Sequence, residues 1–140
     1  FINIIRDETA KECPQLKIIR IDGSIYFGAV EGILNFFADL YEKNDRKHLL
    51  IIANGINFID IAGAEWLSQE ALKWQKRGGG IYLVGLKIIS QDILQDGGFI
   101  KTIGEDNFFK DKNSAISAIY KKLDKDACVN CDVKLFNECL

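Results

Sequence analysis

The stretch that decides the fold of this chain is residues 48–67, HLLIIANGINFIDIAGAEWL. Its first part, 48–53, is an unbroken apolar run, which is typical of a central strand that is covered on both faces. The segment NGIN at 54–57 interrupts this run. Apolar residues at helical spacing then predict a helix over about 61–77, with Asp60 as its N-cap. The stretch therefore places a turn between the carboxyl end of a central strand and the start of a helix.

Upstream of this stretch, the chain again alternates between strand and helix patterns. Residues 16–21 (LKIIRI) are rich in β-branched side chains and precede Asp22-Gly23. This dipeptide favours a tight hairpin turn, so residues 24–27 are predicted to be the return strand. Apolar residues at helical spacing then predict an amphipathic helix over about 29–43.

Downstream, the same alternation continues to the last predicted helix. The sequence GGGIYLVG at 78–85 ends the second helix with glycines and begins another buried strand. A short helix capped by Ser90 is predicted next, and residues 100–103 are a candidate edge strand. A final helix is predicted to open at Asp111 or Asn113.

This order of elements predicts an α/β fold with a mixed β-sheet of four to five strands and about four helices packed against it. Right-handed crossovers would make the inner strands parallel. The 140 residues suit one domain, which we place at residues 1–125 with its core at 13–123. Residues 126–140 are predicted to be a cysteine-containing C-terminal tail. The chain begins at Phe1 and contains no methionine, so we expect it to be a piece of a longer protein.

Composition argues against several classes of function. Eighteen Lys and Arg residues stand against twenty Asp and Glu residues, a balance that does not favour a nucleic-acid partner. The glycine triplet precedes a strand, whereas phosphate-binding glycine loops follow a strand and precede a helix. The single histidine, His48, has no evident nucleophile beside it in the pattern. These features disfavour an enzyme, and we expect no cofactor.

The candidate functional surface is the turn that enters the second helix, because open α/β sheets place ligands at the carboxyl ends of their strands. Two interpretations remain open. Asp60 could simply cap the helix, or the turn could receive an anion or a partner protein at the helix start. Gly63 costs about 1 kcal/mol of helix propensity relative to alanine, which indicates that this position needs room. The residues of this candidate surface are Asn57, Phe58, Asp60, Ile61, Ala62 and Gly63.

The cysteines give only a weak metal pattern. Cys128, Cys131 and Cys139 lie close together in the tail, and the fourth cysteine, Cys13, is far away in the sequence. A closed zinc site needs four ligands, so we predict no metal. Reduced thiols in a cytosolic setting are expected, with a disulfide or an intermolecular contact as the alternatives. The two tryptophans of the second helix are expected to pack in the core or against a neighbour.

Taken in order, these motifs resemble the STAS domain (sulfate transporter and anti-sigma factor antagonist). The start CPQL at 13–16 runs into IDGSIYFGAV, and the tail ends with FNEC before the last residue. With these two features the chain looks most like the cytoplasmic C-terminal STAS domain of SulP-type anion transporters. The motifs that carry the family resemblance are Asp22-Gly23 with residues 25–27, the turn FIDIAG at 58–63, and GGIYLVG at 79–85.

This resemblance implies a non-catalytic regulatory domain of a sulfate or related anion transporter, located at the cytoplasmic face of the inner or plasma membrane. The implied partners are the transmembrane section of the parent transporter, a cytoplasmic protein or a second copy of the chain. In anti-sigma factor antagonists, the serine before the glycine of an Asp-x-Ser-Gly turn is phosphorylated. The corresponding position here is Ala62, preceded by Ile61. A soluble antagonist-like partner-switching protein is the alternative, and a small nucleotide- or anion-binding module is a further one.

Overall fold

The structure, a computed structural model, describes residues 4–7, 15–25, 30–43 and 46–123. Strands and helices alternate along these ranges, and a short 3-10 turn, Glu105–Asn107, precedes the last strand. The strands are β1 (Ile4–Asp7), β2 (Leu16–Ile25), β3 (His48–Ile52), β4 (Ile56–Ile59), β5 (Gly80–Val84) and β6 (Phe108–Phe109). The helices are α1 (Val30–Lys43), α2 (Ile61–Lys76), α3 (Ile88–Asp96), α4 (Phe99–Ile103) and α5 (Lys112–Tyr120).

The strands form one mixed sheet in the order β1-β2-β3-β5-β6, and β4 pairs with the end of β2 beside β3. Strands β2, β3, β5 and β6 run parallel to one another, and β4 runs parallel to β2. Strand β1 is antiparallel to β2. The predicted mixed α/β fold is therefore confirmed. Within the described ranges it has six strands and five helices, somewhat more than expected, because β1, β4, β6 and α4 were not predicted.

Side chains alternate between two cores along the central strands, as the two-residue period of a strand requires. On β3, Leu49 and Ile51 point to a core that α1, α2, α3 and α4 cover, while Leu50 points to a core that α5 covers. On β5, Tyr82 and Val84 also face α5. Burial on both sides explains why these strands read as continuous apolar runs.

The predicted hairpin at Asp22-Gly23 is wrong. Strand β2 continues through these residues to Ile25, and a register irregularity lies between Gly23 and Ser24. Gly23 has a φ of 113°, a conformation that glycine adopts without strain, and its N–H donates to the carbonyl of Gly55 at 2.9 Å. The glycine thus bends β2 from its pairing with β3 to its pairing with β4, a bulge instead of a turn. The rest of the expected return strand, Tyr26 and Phe27, lies outside the described residues.

Two smaller expectations are also wrong. Residues 100–103 belong to α4, between Gly98 and Gly104, whose φ angles of 74° and 116° mark the ends of this short helix. The strand at this edge of the sheet, next to β5, is β6 instead. Ser90 does not cap α3, because that helix begins at Ile88 and its N-cap position is Lys87. The expected cap at Asp111 is confirmed, since its side chain accepts the N–H of Ser114.

Candidate functional site

The candidate turn follows β4, a short strand that the sequence pattern did not indicate. Ile56 and Ile59 of β4 are buried, whereas Asn57 and Phe58 between them are exposed. The N–H of Asp60 donates to the carbonyl of Ile25 at 3.1 Å. The pairing of β4 with β2 therefore continues to Asp60, the residue that immediately precedes α2. Residues 56–59 of the predicted turn region therefore form a strand, which holds the helix start against the end of β2.

Asp60 is the N-cap of α2, as predicted. Its Oδ1 accepts the N–H of Gly63 at 2.8 Å, and its own backbone is extended. The carbonyl of Asp60 accepts the N–H of Ala64 at 2.8 Å and so makes the first bond of the helix. The cap therefore uses one of the N–H groups at the helix start that an anion would otherwise receive. This geometry favours a contact surface over an anion site at the turn.

Gly63 is needed because the first turn of α2 lies directly against β2. A Cβ atom at this position would lie 2.4 Å from the carbonyl oxygen of Ile25 and 2.8 Å from its Cγ2. Both distances are below any normal contact, and the carbonyl belongs to the backbone, which cannot turn away. The expectation from helix propensity, that something at Gly63 needs room, is thus explained by the end of β2.

Two apolar side chains that flank the N-cap residue Asp60 in the sequence are exposed to solvent. Phe58 is 44% exposed and Ile61 is 68% exposed. Single exposed apolar residues are ordinary on protein surfaces, but here two of them flank one carboxylate within four residues. The turn thus presents apolar area around Asp60, which is a combination suited to contact with another protein.

The start of α3 extends this surface. The Nζ of Lys87 donates to Oδ1 of Asn57 at 2.9 Å, which links the start of α3 to β4. The next two residues, Ile88 and Ile89, are 75% and 62% exposed. The sequence reasoning did not find these residues, because thirty positions separate Lys87 from Asn57. We call Phe58, Ile61, Ile88 and Ile89, together with the polar groups between them, the α2–α3 surface.

No hydroxyl group occupies the positions that immediately precede Gly63. Ile61 and Ala62 are the first two residues of α2. The nearest serine along the helix, Ser68, is buried, and its hydroxyl donates to the carbonyl of Glu65 at 2.7 Å. The two residues before Gly63 therefore offer no side chain that a serine kinase could phosphorylate.

Trp66 and Trp74 pack in the core, as expected. Trp66 meets Phe37 of α1 edge to face with ring centroids 5.0 Å apart. Trp74 meets Tyr41 of α1 at 5.8 Å, and the guanidinium of Arg77 lies 3.7 Å from the centre of the Tyr41 ring. These contacts fix α2 against α1, so the start of α2 is held on a rigid support.

His48 lies at the opposite end of β3 from the turn. It is buried, and its Nδ1 is 2.9 Å from the hydroxyl of Tyr82. Burial, together with the nearby charges of Lys122 and Lys47, lowers the pKa of His48 from 6.5 to about 4. Burial likewise raises the pKa of Tyr82 to about 12. This pair is part of the core and does not approach the candidate surface.

The described residues contain no group of three or more His, Cys, Asp or Glu side chains that could hold a metal ion. The cysteines that motivated the question, Cys13, Cys128, Cys131 and Cys139, lie outside the described residues. Among the helices of the described ranges, none combines the length and apolar character that crossing a membrane would require.

A mixed open sheet with helices packed on both faces defines a small α/β domain. The family model "STAS domain" matches residues 8–115. The chain belongs to the STAS domain family. No curated protein matches the chain significantly.

Solved structures from two groups share this fold. SLC26A9 matches with a TM-score of 0.69 at 16% identity, over 89% of this chain and 22% of SLC26A9. The murine Slc26a9 protein, described as an anion transporter, matches with a TM-score of 0.68. A sulfate transporter family protein from Wolinella succinogenes matches with a TM-score of 0.65 at 25% identity, over 76% of this chain and 86% of that one. The anti-sigma factor antagonist SpoIIAA matches with a TM-score of 0.67 at 14% identity, over 86% of this chain and 100% of SpoIIAA. The chain thus spans about a fifth of the length of SLC26A9.

Proposed function

We propose that this chain is the non-catalytic regulatory domain of a SulP-family transporter of sulfate or a related anion. It acts at the cytoplasmic face of the inner or plasma membrane by binding a protein at the turn 57–63. Its partner is the transmembrane section of the parent transporter or a cytoplasmic protein. The likeness to the Wolinella succinogenes protein, described as a member of a sulfate transporter family, supports the transporter assignment.

The observation that carries the proposal is the exposed apolar area around Asp60. Covering Ile61 and Phe58 with a partner would contribute about 1–2 kcal/mol for each side chain, since both are already partly covered. The carboxylate of Asp60 is fixed by its bond to Gly63 and can accept a donor from that partner at the same time. A few such contacts are enough for a regulatory interaction within one protein, where the effective concentration is high.

A partner-switching antagonist is the second candidate function. The chain resembles SpoIIAA over the full length of that protein. A phosphorylated form of SpoIIAA has been solved, and its fold also matches this chain, with a TM-score of 0.60. The residues before Gly63 argue against the same switch here, because Ile61 and Ala62 carry no hydroxyl group. Control by binding alone therefore fits this turn better than control by phosphorylation.

Photocrosslinking in the intact parent protein tests the proposal. A photoreactive amino acid replaces Ile61 in one variant and Leu72 in a control, both being exposed apolar residues of α2. We expect Ile61 to form an adduct with a membrane segment of the same protein or with a cytoplasmic protein, and Leu72 to form much less. Equal yields at both positions would contradict the proposed surface. Adducts only with a kinase-like anti-sigma factor, from a parent without membrane segments, would establish the second candidate instead.

A further inference from the structure

A separate cavity, widely open to solvent, lies on the face of the sheet that α5 covers. Its volume is about 380 Å³, and it opens where β3 and β5 end. The apolar part of its wall is Ile52 and Val84, the last residues of those two strands. Ligands of open α/β sheets bind outside the carboxyl ends of the strands, and the volume falls in the lower range of small-molecule sites.

The polar wall of this cavity is strongly basic although the whole chain has a net charge of −2. Arg20, Lys110 and Lys112 line it, against one carboxylate, Asp111. Neither lysine forms an ion pair with the described part of the chain. Three cations on one concave surface of an acidic protein concentrate a positive potential there, which favours an anionic ligand.

Within the described ranges, only the Nε of the Arg20 guanidinium has a side-chain hydrogen-bond partner. Its Nε donates to the two carboxylate oxygens of Asp22 at 3.0 Å and 3.2 Å. No acceptor among the described residues engages its terminal N–H groups, and an arginine has five N–H donors in total. The pair with Asp22 therefore orients the guanidinium while the terminal N–H groups remain available to a ligand.

The carboxylate of Asp111 caps the start of α5. Its Oδ1 accepts the N–H of Ser114 at 2.8 Å, and this bond lowers the pKa of the carboxyl group, so that it stays ionised as the cap of α5. It forms no ion pair with the lysines beside it. The last polar group of the wall, Asn54, lies against Gly85, where a Cβ atom would come within 2.5 Å of the Asn54 side chain. Gly85 thus allows the amide to occupy the rim.

We propose that this cavity binds a small phosphorylated organic molecule. Its phosphoryl group contacts Lys110 and Lys112, its organic part covers Ile52 and Val84, and a polar group at its far end accepts from Arg20, which lies on the other side of these two residues. A phosphoryl group presents three acceptor oxygens, which can engage both lysine ammonium groups at once, whereas a carboxylate presents two. This ligand site is independent of the α2–α3 surface and would give the domain a small-molecule input in addition to its protein contact.

The probe for this site is phenyl phosphate, which combines a phosphoryl group with an apolar body. Titration of the isotope-labelled chain, followed by NMR, should show saturable binding at or below about 1 mM. The largest shifts should occur at Asn54 and at residues 110–112. Inorganic phosphate should bind more weakly, because it leaves Ile52 and Val84 uncovered, and benzyl alcohol should not bind.

Matched variants decide whether these lysines form the site. Lys110→Gln with Lys112→Gln should weaken phenyl phosphate binding about tenfold or more, because two charged donors are lost. Lys76→Gln with Lys101→Gln removes the same charge from two exposed lysines elsewhere and should change binding less than about twofold. The proposal is overturned if phenyl phosphate does not saturate, if both double variants weaken binding equally, or if inorganic phosphate binds as tightly as phenyl phosphate.

Discussion

Replacement of Gly63 by alanine should destabilise the domain, although alanine is the better helix former. The new methyl group would lie 2.4 Å from the carbonyl oxygen of Ile25, which also accepts the N–H of Asp60. Either the first turn of α2 or the end of β2 has to move, and forced overpacking of this kind costs about 1–3 kcal/mol or more. The gain in helix propensity offsets about 1 kcal/mol at most. We therefore expect a net loss of up to about 2 kcal/mol in the free energy of unfolding.

Gly32→Ala is the matched control, because a Cβ atom at Gly32, an exposed position in α1, meets nothing within 4 Å. This variant should gain up to about 1 kcal/mol. Urea unfolding followed by the fluorescence of the buried Trp66 and Trp74 measures both changes. The prediction is that the two variants change the free energy of unfolding in opposite directions. If Gly63→Ala stabilises the domain as Gly32→Ala does, the close approach of α2 to β2 is not present in solution.

Three further predictions concern the capped helix start and the buried histidine. Asp60→Ala should lower the free energy of unfolding by about 1 kcal/mol while Asp60→Asn, which still caps, should change it little, as urea unfolding would reveal. An anti-sigma-type serine kinase should leave the peptide 57–73 unmodified by mass spectrometry, and a phosphate found there would refute control by binding alone. Because the pKa of His48 is lowered from 6.5 to about 4, the unfolded chain binds the proton first as pH falls. Stability should then decrease by up to about 3 kcal/mol between about pH 6.5 and pH 4, and His48→Gln should remove most of this slope in pH-dependent unfolding.

The sequence predicted the parts of the fold that depend on local patterns. Apolar runs at β3 and β5, helical spacing in α1 and α2, and the caps at Asp60 and Asp111 all follow from residues near one another in the chain. The error at Asp22-Gly23 has a different origin. The same dipeptide suits a hairpin turn or a bulge, and only the distant β4, which pairs with the end of β2, decides between them.

The residues of the candidate site also differ in whether a local sequence pattern reveals them. Gly63 could be recognised from its cost to the helix, and Asp60 from its place before the apolar spacing. Lys87, Ile88 and Ile89 could not be recognised, because they reach the turn only after the chain has passed through α2 and β5. No local pattern encodes that approach. The basic cavity at Arg20 and Lys110 is likewise assembled from separate segments, across the sheet from one another.

The rate of anion transport by the parent protein in membrane vesicles tests the central claim most directly. Ile61→Glu places a charge in the exposed apolar area and also suits the positive end of α2, so the fold should be retained. Leu72→Glu makes the same change at another exposed position of this helix. With equal amounts of protein in the membrane, we predict that Ile61→Glu alters the transport rate and that Leu72→Glu does not. Unchanged transport in both variants would show that the turn is only a helix cap.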